Sequence, residues 1–65
     1  MRNLTDREIE VLQLLADGNT GKEISGKLFI SEQTVKHHLT NIRDRLDTYT
    51  TVHSLAVAFR EGWVK

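Results

Sequence analysis

Residues 20–46 read TGKEISGKLFISEQTVKHHLTNIRDRL, and the fold turns on how this stretch divides. Thr20 and Glu23 form T-x-x-E, the capping box in which each side chain satisfies the other residue's backbone amide. Ile24 and Leu28 follow at i and i+4, so a short helix begins after Thr20. Gly26 inside it costs about 1 kcal/mol against Ala, so this helix depends on its neighbours. Only Phe29 and Ile30 separate Leu28 from Ser31, a residue type that caps helix N-termini. Beyond Ser31, Val35, Leu39, Ile42 and Leu46 recur at helical spacing and fall within about 40° of one another on a helical wheel. Gln33, Lys36, His37, Thr40 and Asp44 lie between about 100° and 200° from Val35, a wholly polar face. So short a connection rules out a parallel continuation and predicts a sharp angle between the two helices.

Outward from this stretch, the flanks are also helical. LTDREIEVLQLLADG repeats the capping box with Thr5 and Glu8, and Leu4 and Ile9 are spaced as a hydrophobic staple across the cap. Ile9, Val11, Leu12, Leu15 and Ala16 supply a broad apolar stripe, and Gly18 suits the left-handed residue that ends a helix. Ile30 and Val35 are spaced as a second staple around Ser31. After Leu46 a fourth helix is expected to start near Thr50 or Thr51, with Val52, Leu55, Ala56 and Phe59 as its core stripe. Gly62 ends it, and Trp63 is expected to fold back on the core. No stretch alternates with period two for long enough to make a strand, so the fold class is all-α, with four helices.

The 65 residues bound a single domain, and one this small buries only about 60% of the surface its unfolded chain exposes. There is no cysteine, hence no disulfide and no thiolate metal site. No apolar run approaches the roughly 20 residues of a membrane span, and MRNLTDREIE has no signal-peptide core. A cytoplasmic domain without membrane contact is the expectation. Net charge is zero, but the signs segregate. Residues 1–19 set Arg2 and Arg7 against Asp6, Glu8, Glu10 and Asp17. Residues 20–46 set Lys22, Lys27, Lys36, Arg43 and Arg45 against Glu23, Glu32 and Asp44.

A short helix, a tight turn and a longer helix with one polar face make the helix-turn-helix arrangement, in which the second helix enters the DNA major groove. Gln33, Lys36, His37 and Thr40 carry donors and acceptors long enough to meet base edges. The helix N-termini at Thr20 and Ser31 offer backbone amides to phosphates, with Lys22 beside the first. A small helical bundle with a solvated polar face meets the same pattern, so these residues alone leave both readings open.

The stretch LTDREIEVLQLLADGNTGKEISGKLFISEQTVKHHLTNIRDRL resembles the LuxR-type (NarL/FixJ-type) DNA-binding domain of bacterial transcription regulators. The likeness is carried by Leu4, Thr5, Arg7, Glu8, Val11, Leu12, Gly18, Lys22, Glu23, Ile24, Leu28, Ile30 and Ser31. It continues through Thr34, Val35, Lys36, His38, Leu39, Asn41, Ile42 and Leu46, and EGWV resembles the family's closing turn. The block from Ser31 to Ile42 is the most specific part. The resemblance implies a four-helix effector domain at the C-terminus of a larger response regulator, binding double-stranded DNA as a homodimer. By position it implies base contacts from Lys36, His37 and Thr40. Phosphate contacts would come from Thr20, Lys22, Ser31, Gln33, Thr34 and Arg43, and dimer contacts from Val52, Leu55 and Phe59. RNA polymerase is a further partner it admits. Departures fall at Ser25, where the family usually has Ala, at Thr40, where some relatives are basic, at Asp47, where Gly is usual, and at Thr51, where Arg is common. Asp tolerates the left-handed conformation better than most residues do.

His37 and His38 do not form a metal site: adjacent helical residues point about 100° apart, and His53 lies on another helix. Ser31 and Thr34 are explained as cap and first-turn residues rather than nucleophiles. No catalytic residue, cofactor or small-molecule ligand is expected. The rival functions are a small stand-alone regulator, a sigma-factor-like promoter binder sharing the LTDRE opening, and a helical protein-interaction module.

Overall fold

Four side chains set where the helices begin. The structure, a computed structural model, describes residues 4–65. It contains α1 (Asp6–Ala16), α2 (Gly21–Leu28), α3 (Glu32–Leu46) and α4 (Thr51–Arg60), with no strand among the described residues. At α1 the Glu8 amide donates to Thr5 Oγ1 at 3.1 Å and the Thr5 amide donates to Glu8 Oε1 at 2.8 Å. At α2 the reciprocal pair between Thr20 and Glu23 measures 3.1 and 2.9 Å. Ser31 Oγ caps α3 by accepting from the Thr34 amide at 3.0 Å, and Thr50 Oγ1 caps α4 by accepting from the His53 amide at 3.0 Å. Each such cap is worth about 1 kcal/mol, a substantial share of the stability of a domain this small.

The core has two joined halves. Leu4, Leu12, Ile42, Ala58 and Val64 form one, flanked by Ile9, Leu46, Leu55 and Trp63. Val11, Ile24 and Val35 form the other, flanked by Leu14, Leu28 and Ile30. Leu15 and Leu39 pack against both halves, so α1 and α3 are the spine to which α2 and α4 attach. Both staples expected from sequence fall inside these clusters: Leu4 and Ile9 in the first, Ile30 and Val35 in the second. Beyond α4, Gly62 takes φ 76° and turns the chain, which puts Trp63 and Val64 on the core. Gln13 holds the end of the chain, its Oε1 accepting from the Lys65 amide at 3.0 Å and its Nε2 donating to the Lys65 carbonyl at 3.1 Å.

The face that α4 buries differs from the expected one. The apolar spacing pointed to Val52, Leu55, Ala56 and Phe59 as the core stripe. Of these only Leu55 packs on the core; Ala56 is exposed, Val52 is 78% exposed and Phe59 48%. The buried residues are Ser54 and Ala58 instead. The reason lies in Ser54: its hydroxyl shares a hydrogen bond with the buried Thr48 hydroxyl and donates to the Thr50 carbonyl at 3.2 Å. A satisfied serine can sit inside at little cost, and two small side chains one turn apart let α4 approach α3 and α1 closely.

Two non-glycine residues end helices in the left-handed conformation, Phe29 at φ 57° and Asp47 at φ 55°. Asp47 does so as expected where the family usually has Gly. No helix among the described residues is long and apolar enough to cross a membrane.

Candidate nucleic-acid interface

The corner between α2 and α3 is built from its buried side inward. Ile24 is fully buried, and Leu28, Ile30 and Val35 pack with it in one cluster, locking the two helices together across a two-residue turn. The Ile30 amide donates to the Ser25 carbonyl at 3.0 Å, so the turn satisfies the backbone groups that α2 leaves open at its end. With Val35 and Ile42 buried, the opposite face of α3 is fixed outward: Gln33, Lys36, His37, Thr40 and Asp44 are all exposed. His38 is half-buried at the margin between the two faces. The adjacent histidines therefore have different surroundings, His37 on the open face and His38 against the body of the domain.

The residues expected to serve phosphates divide into free and engaged groups. Lys22 and Gln33 are exposed, as are the capping residues Thr20 and Ser31. Thr34 is half-buried, and its hydroxyl lies 2.9 Å from Ser31 Oγ. Arg43 is half-buried and already engaged: Nη2 donates to Thr40 Oγ1 at 3.2 Å and Nη1 donates to Thr51 Oγ1 at 3.1 Å. It thus ties the open face of α3 to the first turn of α4. Thr40 Oγ1 in turn donates to the Lys36 carbonyl at 3.0 Å. The link to Thr51 needs the α3–α4 corner, which no local pattern reveals.

Electrostatics sharpen the face. Glu8 is 2% exposed, and its carboxylate pairs with Arg45 as well as capping α1. That assigns Arg45 to the scaffold and leaves Lys22, Lys36 and Lys27 as the exposed cations of the α2–α3 block. Glu10 pairs with Arg7 at 3.3 Å on α1. The Thr20 backbone amide, the Thr20 hydroxyl bond and the nearby Lys27 hold the Glu23 carboxyl below its ordinary range, so it stays ionised at the α2 N-terminus. Among the described residues no cluster of three or more His, Cys, Asp or Glu is placed to hold a metal ion.

On α4, Val52 and Phe59 stand outward and Leu55 is half-buried. The sequence missed the two most exposed aromatic side chains, Phe29 at 95% and Tyr49 at 92% exposure. Both sit in interhelical turns, where apolar periodicity carries no signal.

Comparison with known proteins agrees with this architecture. The family model for bacterial regulatory proteins of the luxR family matches residues 2–60. The transcriptional regulatory protein DegU of Brevibacillus brevis is 42% identical over 62 residues, which cover 95% of this chain and 26% of DegU. The spore germination protein GerE of Bacillus subtilis is 51% identical over 59 residues, covering 91% of this chain and 80% of GerE. A solved structure of the transcription factor GerE superimposes with a TM-score of 0.94 at 34% identity, covering 100% of this chain and 97% of that one. The VqmA protein of Vibrio cholera, solved as a complex with ligand and DNA, superimposes with a TM-score of 0.88 at 28% identity, over 97% of this chain and 28% of VqmA. The chain thus spans about a quarter of DegU and VqmA and most of GerE. It belongs to the luxR family of bacterial regulatory proteins.

Proposed function

We propose that α3 lies in the major groove with Lys36, His37 and Thr40 toward the base edges, and that this reading selects the sites the protein occupies. Lys36 supplies a donor suited to guanine O6 and N7, and His37 supplies ring nitrogens able to hydrogen-bond a base edge. Thr20, Lys22, Ser31, Gln33 and Thr34 would fix the register through phosphates, and Arg43 would reach a phosphate with the guanidinium hydrogens that Thr40 and Thr51 leave over. The observation that carries the reading is the outward face of α3: it is polar, exposed and continuous, while its reverse is locked in the core by Val35 and Ile42.

The protein would act as a homodimer, each copy taking one half-site, with the exposed Val52 and Phe59 of α4 meeting across the two-fold axis and Leu55 at the margin. Zero net charge supports this, because a single copy has few cations with which to displace counterions. As a single domain it would be the effector part of a larger response regulator, acting in the cytoplasm on transcription by RNA polymerase. A small stand-alone regulator is the second reading.

Selection of bound sites from random duplex DNA tests the core of the proposal. Recovered sites should share a short motif repeated in inverted orientation, about one helical turn or a multiple of it apart. Lys36→Ala should relax the preference at one position of each repeat. Recovery of unrelated sequences by the unaltered protein would refute the proposal.

A further inference from the structure

Thr40 is the one residue of the proposed reading face whose polar atom is already spoken for. Its hydroxyl hydrogen goes to the Lys36 carbonyl at 3.0 Å, and its oxygen accepts from Arg43 Nη2 at 3.2 Å. Both partners belong to α3 itself, so the hydroxyl is folded back along the helix. A threonine has one donor hydrogen and two lone pairs. The donor and one lone pair are used, yet the residue is exposed. What such a side chain has left to offer a partner is its γ-methyl group and one lone pair beside the Arg43 guanidinium. Arg43 is held from its other end by Thr51 Oγ1 at 3.1 Å, so the arrangement is braced by α4 and does not depend on Thr40 alone.

We infer that Thr40 reads DNA through its methyl group, and that the base it selects is a thymine, recognised by its 5-methyl. The major groove presents one apolar feature, the thymine methyl, and the threonine methyl is among the side-chain groups that pack on it. Reading adenine or cytosine through the hydroxyl would instead use its single remaining lone pair, crowded by the Arg43 guanidinium. Reading guanine would require the hydroxyl hydrogen to leave the Lys36 carbonyl. The inference rests on α3 being the groove-facing helix. It adds the chemistry of one contact: Lys36 and His37 select by hydrogen bonding and Thr40 by apolar contact, with Arg43 as the residue that positions it.

The test uses a site recovered by selection with the unaltered protein. Each thymine is replaced in turn by deoxyuridine, which lacks only the 5-methyl, and Kd is measured by fluorescence anisotropy. One thymine in each half-site should be methyl-sensitive, with Kd rising roughly four-fold on removal of one buried methyl contact. Thr40→Ser keeps the hydroxyl and loses the methyl. It should bind the parent site more weakly by a similar factor and no longer distinguish thymine from deoxyuridine at that position. Thr40→Val keeps the methyl and loses the hydroxyl, and it should still distinguish them. Thermal melts confirm that both variants fold. The inference is overturned if no thymine is methyl-sensitive, if Thr40→Ser retains the sensitivity, or if Thr40→Val abolishes it. If the unaltered protein has a Lys36-dependent preference in such an outcome, only the Thr40 contact is refuted. If it has no Lys36-dependent preference, the reading of α3 falls as well.

Discussion

Phe29 allows a sharp test of how the α2–α3 turn is stabilised. It adopts φ 57° and ψ 43°, a left-handed conformation that costs an L-residue with a side chain about 1–2 kcal/mol. Its ring is 95% exposed, so apolar burial offsets almost none of that cost. Glycine adopts this conformation without steric cost but brings a more flexible unfolded chain, which takes back about 0.4–1 kcal/mol. Phe29→Gly should therefore stabilise the free domain by roughly 0.5–1 kcal/mol. For a domain of this size that raises Tm by about 2–8 °C. Phe29→Ala removes the ring but keeps the strain, and should leave Tm nearly unchanged. Circular dichroism melts of the three proteins at one concentration provide the comparison. A Tm for Phe29→Gly below that of the unaltered protein would refute the reasoning, because it would mean that the ring itself holds the turn.

Other consequences are independent of that turn. Gly26→Ala should add about 0.5–1 kcal/mol to unfolding free energy by denaturant titration, since a Cβ there meets nothing within 4 Å and the glycine only weakens the helix. Val35→Ala opens the half of the core that joins α2 to α3, and should cost roughly 1–3 kcal/mol by the same titration. Glu23, with its folded-state pKa lowered, contributes stability that is present above its unfolded pKa and is lost as pH falls through the folded value. Tm measured from neutral to acid pH should therefore fall less steeply for Glu23→Gln than for the unaltered protein, and an equal slope would remove the carboxylate from the account of the α2 cap.

All four helices and their starting points were legible because their determinants are local. Thr5 with Glu8 and Thr20 with Glu23 lie three residues apart, and Val35, Leu39, Ile42 and Leu46 repeat at the helix period. The open face of α3 followed directly, since burying one side exposes the other. The orientation of α4 was not legible. Hydrophobicity favoured Val52 and Phe59, but Ser54 goes inward because Thr48, on the preceding turn, is there to bond it. The same limit hid the Arg45 ion pair with Glu8, which joins residues 37 apart in sequence, and the Gln13 clamp on Lys65, which joins residues 52 apart. It also hid the engagement of Arg43 by Thr51. Each depends on which helix ends the tertiary fold brings together, and sequence spacing does not carry that information.

The central claim is that the exposed face of α3 reads DNA, and affinity as a function of salt on two duplexes tests it most directly. Kd is measured for a selected site and for a scrambled duplex of equal length, with the unaltered protein and with Lys36→Ala. Affinity for both duplexes should fall steeply with added salt, as phosphate contacts require. Lys36→Ala should shrink the ratio of the two Kd values by about 5- to 150-fold, the range expected for one lost base contact. Binding that is unchanged by salt, or a ratio that Lys36→Ala leaves intact, would contradict the claim.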